Sequence, residues 1–216
     1  MMTGALQDHI GVYRVASLKA ETAMAHNTSS SPKPDQIEAE STEKTVAIVG
    51  LMGAGKSSVG RRLAKAMGRQ FFDSDDEIER AAGQRIPEIF KDHGEESFRR
   101  GEQKVIARLL QGAPHVLATG GGAYMNEQTR KLLNKTAVTV WLYADFETLW
   151  KRVSRRSHRP LLRQPNPRAV LRNLQETRDP IYALADVHVE SVDGAHSETV
   201  DKILRALDIW SAERRG

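Results

Sequence analysis

The stretch Val46–Gly60, VAIVGLMGAGKSSVG, decides the fold. Its start is apolar and rich in β-branched residues, the pattern of a strand buried on both faces. The run ends at Gly50. Beyond the turn, Val59, Leu63, Ala66 and Met67 recur at helical spacing, with Gly68 as a stop. Between strand and helix, Gly50 and Gly55-Lys56-Ser57 match the pattern G-x-x-x-x-G-K-[ST], a P-loop. Its glycines let the backbone curl until successive N–H groups face one anion. The start of the helix adds its partial positive charge. Gly53, Ala54, Gly55, Lys56, Ser57 and Ser58 are therefore the candidate triphosphate contacts. Lys56 can reach the β- and γ-phosphates, and Ser57 can ligate a Mg²⁺ bridging them. A phosphate cradle does not by itself name a reaction.

The cradle is one unit of a repeating pattern. RQFFDSDDEIERAAG reads as a very short strand, an acidic turn and a helix. IPEIFKDHGEESFRRGEQKVIARLLQG reads as two helices broken near Gly94. HVLATGGG and AVTVWLYA are further strands, the first ending in glycines. DFETLWKRV opens a helix with Asp145 as N-cap. RAVLRNLQETRDPIYALA is helical, with Pro180 expected to kink or break it. DVHVES and SETVDKILRALDIW give a last strand and a last helix. Strands alternating with helices predict a parallel sheet covered on both faces. Ligands of such sheets sit at the carboxyl ends of the strands. The Gly50 turn, DSD after Phe72 and TGGG after Ala118 all fall at such ends.

Composition sets the outer limits. The chain has 216 residues, 39% hydrophobic and 28% charged, enough for one α/β domain with a core, plus a tail. Residues 1–43 are that tail: AHNTSSSPKPDQIEAESTEK is polar, Ser- and Pro-rich and without periodicity. The domain is placed at 44–210, with residues 211–216 as a short C-terminal tail. With no cysteine, disulfides, thiolate metal sites and a thiol nucleophile are excluded. No apolar run reaches the ~18 residues of a membrane span, and no charged-then-apolar leader opens the chain. A soluble, cytoplasmic protein is expected. The +4 formal charge suits an anionic partner. From Thr148 to Gln175 there is no Asp or Glu, while Lys151, Arg152, Arg155, Arg156, Arg159, Arg163, Arg168 and Arg172 all fall there. This is either a solvated basic face or an anion-binding loop. No aromatic interleaves with the arginines from Lys151 to Arg172, which argues against nucleic-acid binding.

GLMGAGKSS, DSD at Asp73–Asp75, FRRGE at 98–102, GGG at Gly120–Gly122, RPLL at 159–162 and RDPIY at 178–182 occur in series. Their order and spacing resemble the shikimate kinase family from about Lys44 to Leu207. The resemblance implies a P-loop NTPase fold: a five-stranded parallel sheet of order 2-3-1-4-5, helices on both faces, and a mobile lid at about 153–168. It implies transfer of the ATP γ-phosphoryl group to the 3-hydroxyl of shikimate, with one Mg²⁺, on the route to chorismate and aromatic amino acids. It implies a monomer whose partners are ATP and shikimate, with neither nucleic acid nor membrane.

By the same resemblance, Arg99 and Arg178 hold the shikimate carboxylate, a task guanidinium suits because it binds carboxylate with two parallel hydrogen bonds. Asp75 binds the acceptor hydroxyls and is a candidate base. Asp73 joins Ser57 in the Mg²⁺ shell. Gly120, Gly121 and Gly122 let backbone approach the substrate. Lys56, Asp75 and Arg159 form the catalytic set, with Arg159 reaching from the lid onto the phosphates. Arg152 lies toward the adenine. Arg155, Arg156, Arg163 and Arg168 are read as solvated lid charges, and Trp141 and Trp150 as core. Without the family pattern, Arg99 and Arg178 would be ordinary surface arginines, and DSDDE a helix cap with an acidic first turn. A gluconate kinase is the nearest enzyme alternative; a nucleotide-binding regulatory module without turnover is the alternative of another class.

Overall fold

The computed structural model describes residues 43–155, 165–192, 194 and 196–214. The expected tail apart from Glu43, and the centre of the expected lid with Arg156, Arg159 and Arg163, lie outside them. Five strands form one parallel sheet: β1 (Thr45–Val49), β2 (Phe71–Asp73), β3 (Val116–Ala118), β4 (Ala137–Tyr143) and β5 (Val187–Glu190). The order is β2-β3-β1-β4-β5, as the family resemblance implies. All four pairings are parallel, with Val46 opposite both Val116 and Val138.

Position in the sheet explains each strand's sequence. β1 lies in the middle and is buried throughout, so it shows no alternation. β5 lies at the edge and alternates buried with exposed residues. The helices are α1 (Lys56–Ala66), α2 (Ser74–Ala82), α3 (Ile86–Leu109), α4 (Glu127–Thr136), α5 (Phe146–Ser154), α6 (Pro167–Tyr182) and α7 (His196–Glu213), with a 3₁₀ turn at Ala123–Met125. α7 passes the expected domain limit at residue 210. Gly60 brings α1 close to the sheet: a Cβ there would lie 2.6 Å from the Phe71 ring. The main core is built on β1, β3 and β4, and Trp141 and Trp150 pack against it half-buried. Ile78, Ile89 and Phe98 form a separate small core in α2 and α3.

Two local readings meet different outcomes. α3 does break at Gly94, whose φ of 74° and ψ of 172° are not helical. α6, by contrast, runs through Pro180 to Tyr182. Proline costs that helix one backbone donor near its end, and beyond it Ala183 N–H still donates to the Asp179 carbonyl at 2.9 Å.

Candidate active site

After β1 the backbone turns through Gly50, Gly53 and Gly55, with φ of 136°, 88° and 99°. Side chains are barred there by contact as well as conformation. A Cβ at Gly50 would lie 2.3 Å from the Leu142 carbonyl oxygen, and one at Gly53 2.9 Å from Val153 Cγ2. α1 starts from Gly55 without a side-chain cap, so no side chain takes up its first N–H groups. Lys56 Nζ donates back to the Gly50 and Leu51 carbonyls at 2.8 and 3.1 Å, bracing the loop. Ser57 Oγ donates to Asp73 Oδ2 at 2.6 Å. The other oxygen of Asp73 caps α2 by accepting the Asp75 N–H at 3.1 Å. A cleft of about 490 Å³ opens over this loop, and Gly53, Gly55, Lys56, Ser57, Ser58, Asp73, Asp75, Gly121 and Arg152 line it. Ala54 is fully buried and is not among the lining residues.

The glycine turn after β3 forms the adjoining wall. Gly120 N–H donates to the buried Ser74 hydroxyl at 2.8 Å. A Cβ at Gly120 would lie 2.6 Å from Asp75 Oδ1 and 2.9 Å from Glu102 Oε1. At Gly122 it would lie 2.5 Å from the Arg99 guanidinium. A side chain at either position would therefore displace the Asp75, Glu102 or Arg99 charged groups. Arg99 donates to Glu102 Oε2 at 2.7 Å, and Arg178 donates to the Gly121 carbonyl at 3.2 Å. Both arginines therefore meet one turn, from α3 and α6, beside the cleft rather than in its lining.

The electrostatics are uneven. Burial and then the Asp73 charge push the Asp75 carboxyl up to about 6, although Lys56 pulls the other way. Burial also raises Glu102, opposed by Arg99. A shifted carboxylate in a cleft, next to a phosphate cradle, is suited to accept a proton near neutral pH.

Other residues at the site stand out only in the structure. Thr119, Arg155, Gly194 and His196 line the cleft. Burial, then the charges of Arg62 and Arg152, lower His196. Ser191 accepts from Arg152 at 2.9 Å, and the Val192 carbonyl accepts from it at 2.7 Å, tying that arginine to the end of β5. Ser74 and Glu102 lie within DSD and FRRGE, so their motifs marked the place without the role. Two of the expected solvated lid charges, Arg155 and Arg168, are exposed and also make contacts. Arg155 lines the cleft. Arg168 sits in α6, pairs with Glu147 at 2.5 Å, and lies 5.3 Å from the Phe146 ring centre. Arg172 lies 3.9 Å from the same ring. The aromatic partners precede the basic run, so they were invisible within it.

The family model described as shikimate kinase matches residues 52–208. The shikimate kinase of Caulobacter vibrioides is 58% identical over 164 residues, 76% of this chain and 82% of that protein. A solved shikimate kinase from Acinetobacter baumannii, in complex with shikimate, superposes with a TM-score of 0.73 at 43% identity. The match covers 78% of this chain and 94% of that one. A gluconokinase from Sinorhizobium meliloti 1021 shares the fold alone: TM-score 0.57, 20% identity, 80% of this chain and 96% of that one. A P-loop at the end of β1, two arginines on one glycine turn, and these likenesses lead to one assignment: the chain belongs to the shikimate kinase family.

Proposed function

We propose that the protein transfers the γ-phosphoryl group of ATP to the 3-hydroxyl of shikimate, giving shikimate 3-phosphate and ADP. The observation that carries this reading is the meeting of Arg99 and Arg178 at the glycine turn beside the cradle. Two guanidinium groups and a buried carboxylate suit an acceptor with one carboxylate and several hydroxyls. A relative 43% identical that holds shikimate supports the acceptor.

The roles are those the family resemblance implies, and the chemistry of each group suits its role. Arg99 and Arg178 bind the shikimate carboxylate and so aim the ring. Asp75 accepts hydrogen bonds from the hydroxyls and takes the proton as the attacking oxygen bonds to the γ-phosphorus. The bond to the β–γ bridging oxygen breaks, and ADP leaves. Lys56 exchanges its loop carbonyls for phosphate oxygens and spreads their charge. The N–H groups of Gly53–Ser58 cradle the phosphates, and the Gly120–Gly122 backbone approaches the acceptor. Arg152 flanks the adenine side with Gly194 and His196. Arg159, outside the described residues, supplies a lid cation and helps to exclude water.

Ser57 and Asp73 offer oxygen donors side by side, which fits Mg²⁺. The ion, when bound, would neutralise charge on the β- and γ-phosphates. The kinase domain is taken to start at 44, after a tail at 1–43, and to include α7 to Glu213 rather than end at 210. The protein acts as a cytoplasmic monomer, with no nucleic-acid or membrane partner; no helix among the described residues is long and apolar enough to cross a membrane.

A coupled assay of ADP release tests the reading, with shikimate, gluconate and no acceptor compared. Release should depend on shikimate. Equal release in all three arms would mean a nucleotide-binding module with idle hydrolysis, and gluconate dependence would mean a different metabolite kinase. Lys56→Ala should lower turnover by about 10²-fold or more, as loss of one preorganised charge stabiliser does.

A further inference from the structure

Tyr182 closes the RDPIY segment and has no part in the roles above, yet its hydroxyl reaches the site. It donates to the Gly121 carbonyl, the same oxygen that accepts from Arg178. The Arg178 guanidinium and the Tyr182 hydroxyl therefore converge on one carbonyl oxygen, which links hydroxyl, guanidinium and turn. The spacing makes this possible, because residues four apart stand side by side on a helix.

The ring itself is held firmly. Tyr182 is fully buried. Tyr124 and Trp141 flank it, each with a ring centroid 6.3 Å away and planes within 17° and 24° of parallel. A phenol this well packed presents its hydroxyl in one direction, which a solvated side chain could not do. The Gly121 carbonyl is then pinned toward α6. In a trans peptide the next N–H points the opposite way, so the Gly122 N–H is fixed as well. Burial raises the Tyr182 hydroxyl to about 12, so it remains a neutral donor at working pH.

We propose that Tyr182 is a positioning residue for phosphoryl transfer, setting the aim of Arg178 and the orientation of the glycine turn toward the acceptor's carboxylate. The inference rests on the reading of Arg178 as a carboxylate-binding residue. It extends that reading to a side chain that touches neither substrate.

Tyr182→Phe tests it, since the ring and its stacking are kept and a single oxygen is lost. The shikimate KM should rise about tenfold, the scale of one lost hydrogen bond to a charged group. The ATP KM should stay within about twofold, because the network ends at the glycine turn and not at the cradle. Thermal melting checks that the variant folds. Trp141→Phe, which narrows a flanking ring without removing the hydroxyl, should move the shikimate KM in the same direction by less. In an Arg178→Ala background, Tyr182→Phe should add much less than it does alone, because part of its effect passes through Arg178. An unchanged shikimate KM in Tyr182→Phe, an equal rise in both KM values, or simple additivity with Arg178→Ala would overturn the proposal. If Arg178→Ala itself leaves the shikimate KM unchanged, the carboxylate reading has failed as well.

Discussion

Asp75 shows how one residue can be good for chemistry and poor for stability. Its carboxyl titrates at about 6 in the folded protein and at 3.8 unperturbed. Between those values the folded state holds a proton that the unfolded chain has released. Stability from this group therefore falls as pH rises through that window, and above it the full penalty of about 3 kcal/mol applies. Asp75→Asn should accordingly raise the melting temperature at pH 8 by about 5 °C or more, and the gain should shrink as pH falls through the window and vanish below 3.8. The same variant should lose most turnover, and wild-type kcat/KM should drop as pH falls below about 6. A pH series of melts and rates would check both limbs. Arg99 has a different signature: Arg99→Ala should raise the shikimate KM tenfold or more with little change for ATP. Equal changes in both constants would argue against its carboxylate role.

Among the elements, the legible ones were those whose local sequence leaves little choice. β1 and the cradle could be read because glycine, lysine and serine at that spacing satisfy backbone geometry and phosphate chemistry together. The α3 break could be read because Gly94 interrupts a helical pattern. The break allowed for at Pro180 does not occur, since a proline's effect depends on how near the helix end it falls. The ring contacts of Arg168 and Arg172 in α6 were not legible because their partners lie in α5, outside the basic stretch. Strand order is a tertiary fact that no single window holds, and it came only through the family resemblance. Roles such as Ser74 holding Gly120, or Tyr182 holding Gly121, depend on residues far apart in sequence that meet in space. The contact between α1 and β2 gives a stability test at this scale. Gly60→Leu would force side-chain atoms into the Phe71 ring. Overpacking should cost about 1–3 kcal/mol and lower the melting temperature by ~2–10 °C, as calorimetry would show.

For the whole molecule, activity should reside in the P-loop domain. Removing residues 1–43 should leave kcat and both KM values within about twofold, because the described site draws on no residue before Gly50; a large loss would make the tail part of the site. Acid should loosen the protein from the opposite end of the sheet. His115 is buried, and burial lowers its ring below the usual value. The unfolded chain thus takes up that proton first, and stability from His115 falls as pH drops below about 6.5. The sheet order also governs how the chain finds its shape. Thr45 at the start of β1 hydrogen-bonds His115, 70 positions later, and pairs in register with Ala137 of β4. No strand of the sheet can close on its neighbour through a simple hairpin. Pairings this distant in sequence make folding slow relative to a helical bundle of equal length. During synthesis, both edges of β1 stay open until β3 has left the ribosome, and the edge facing β4 stays open longer still.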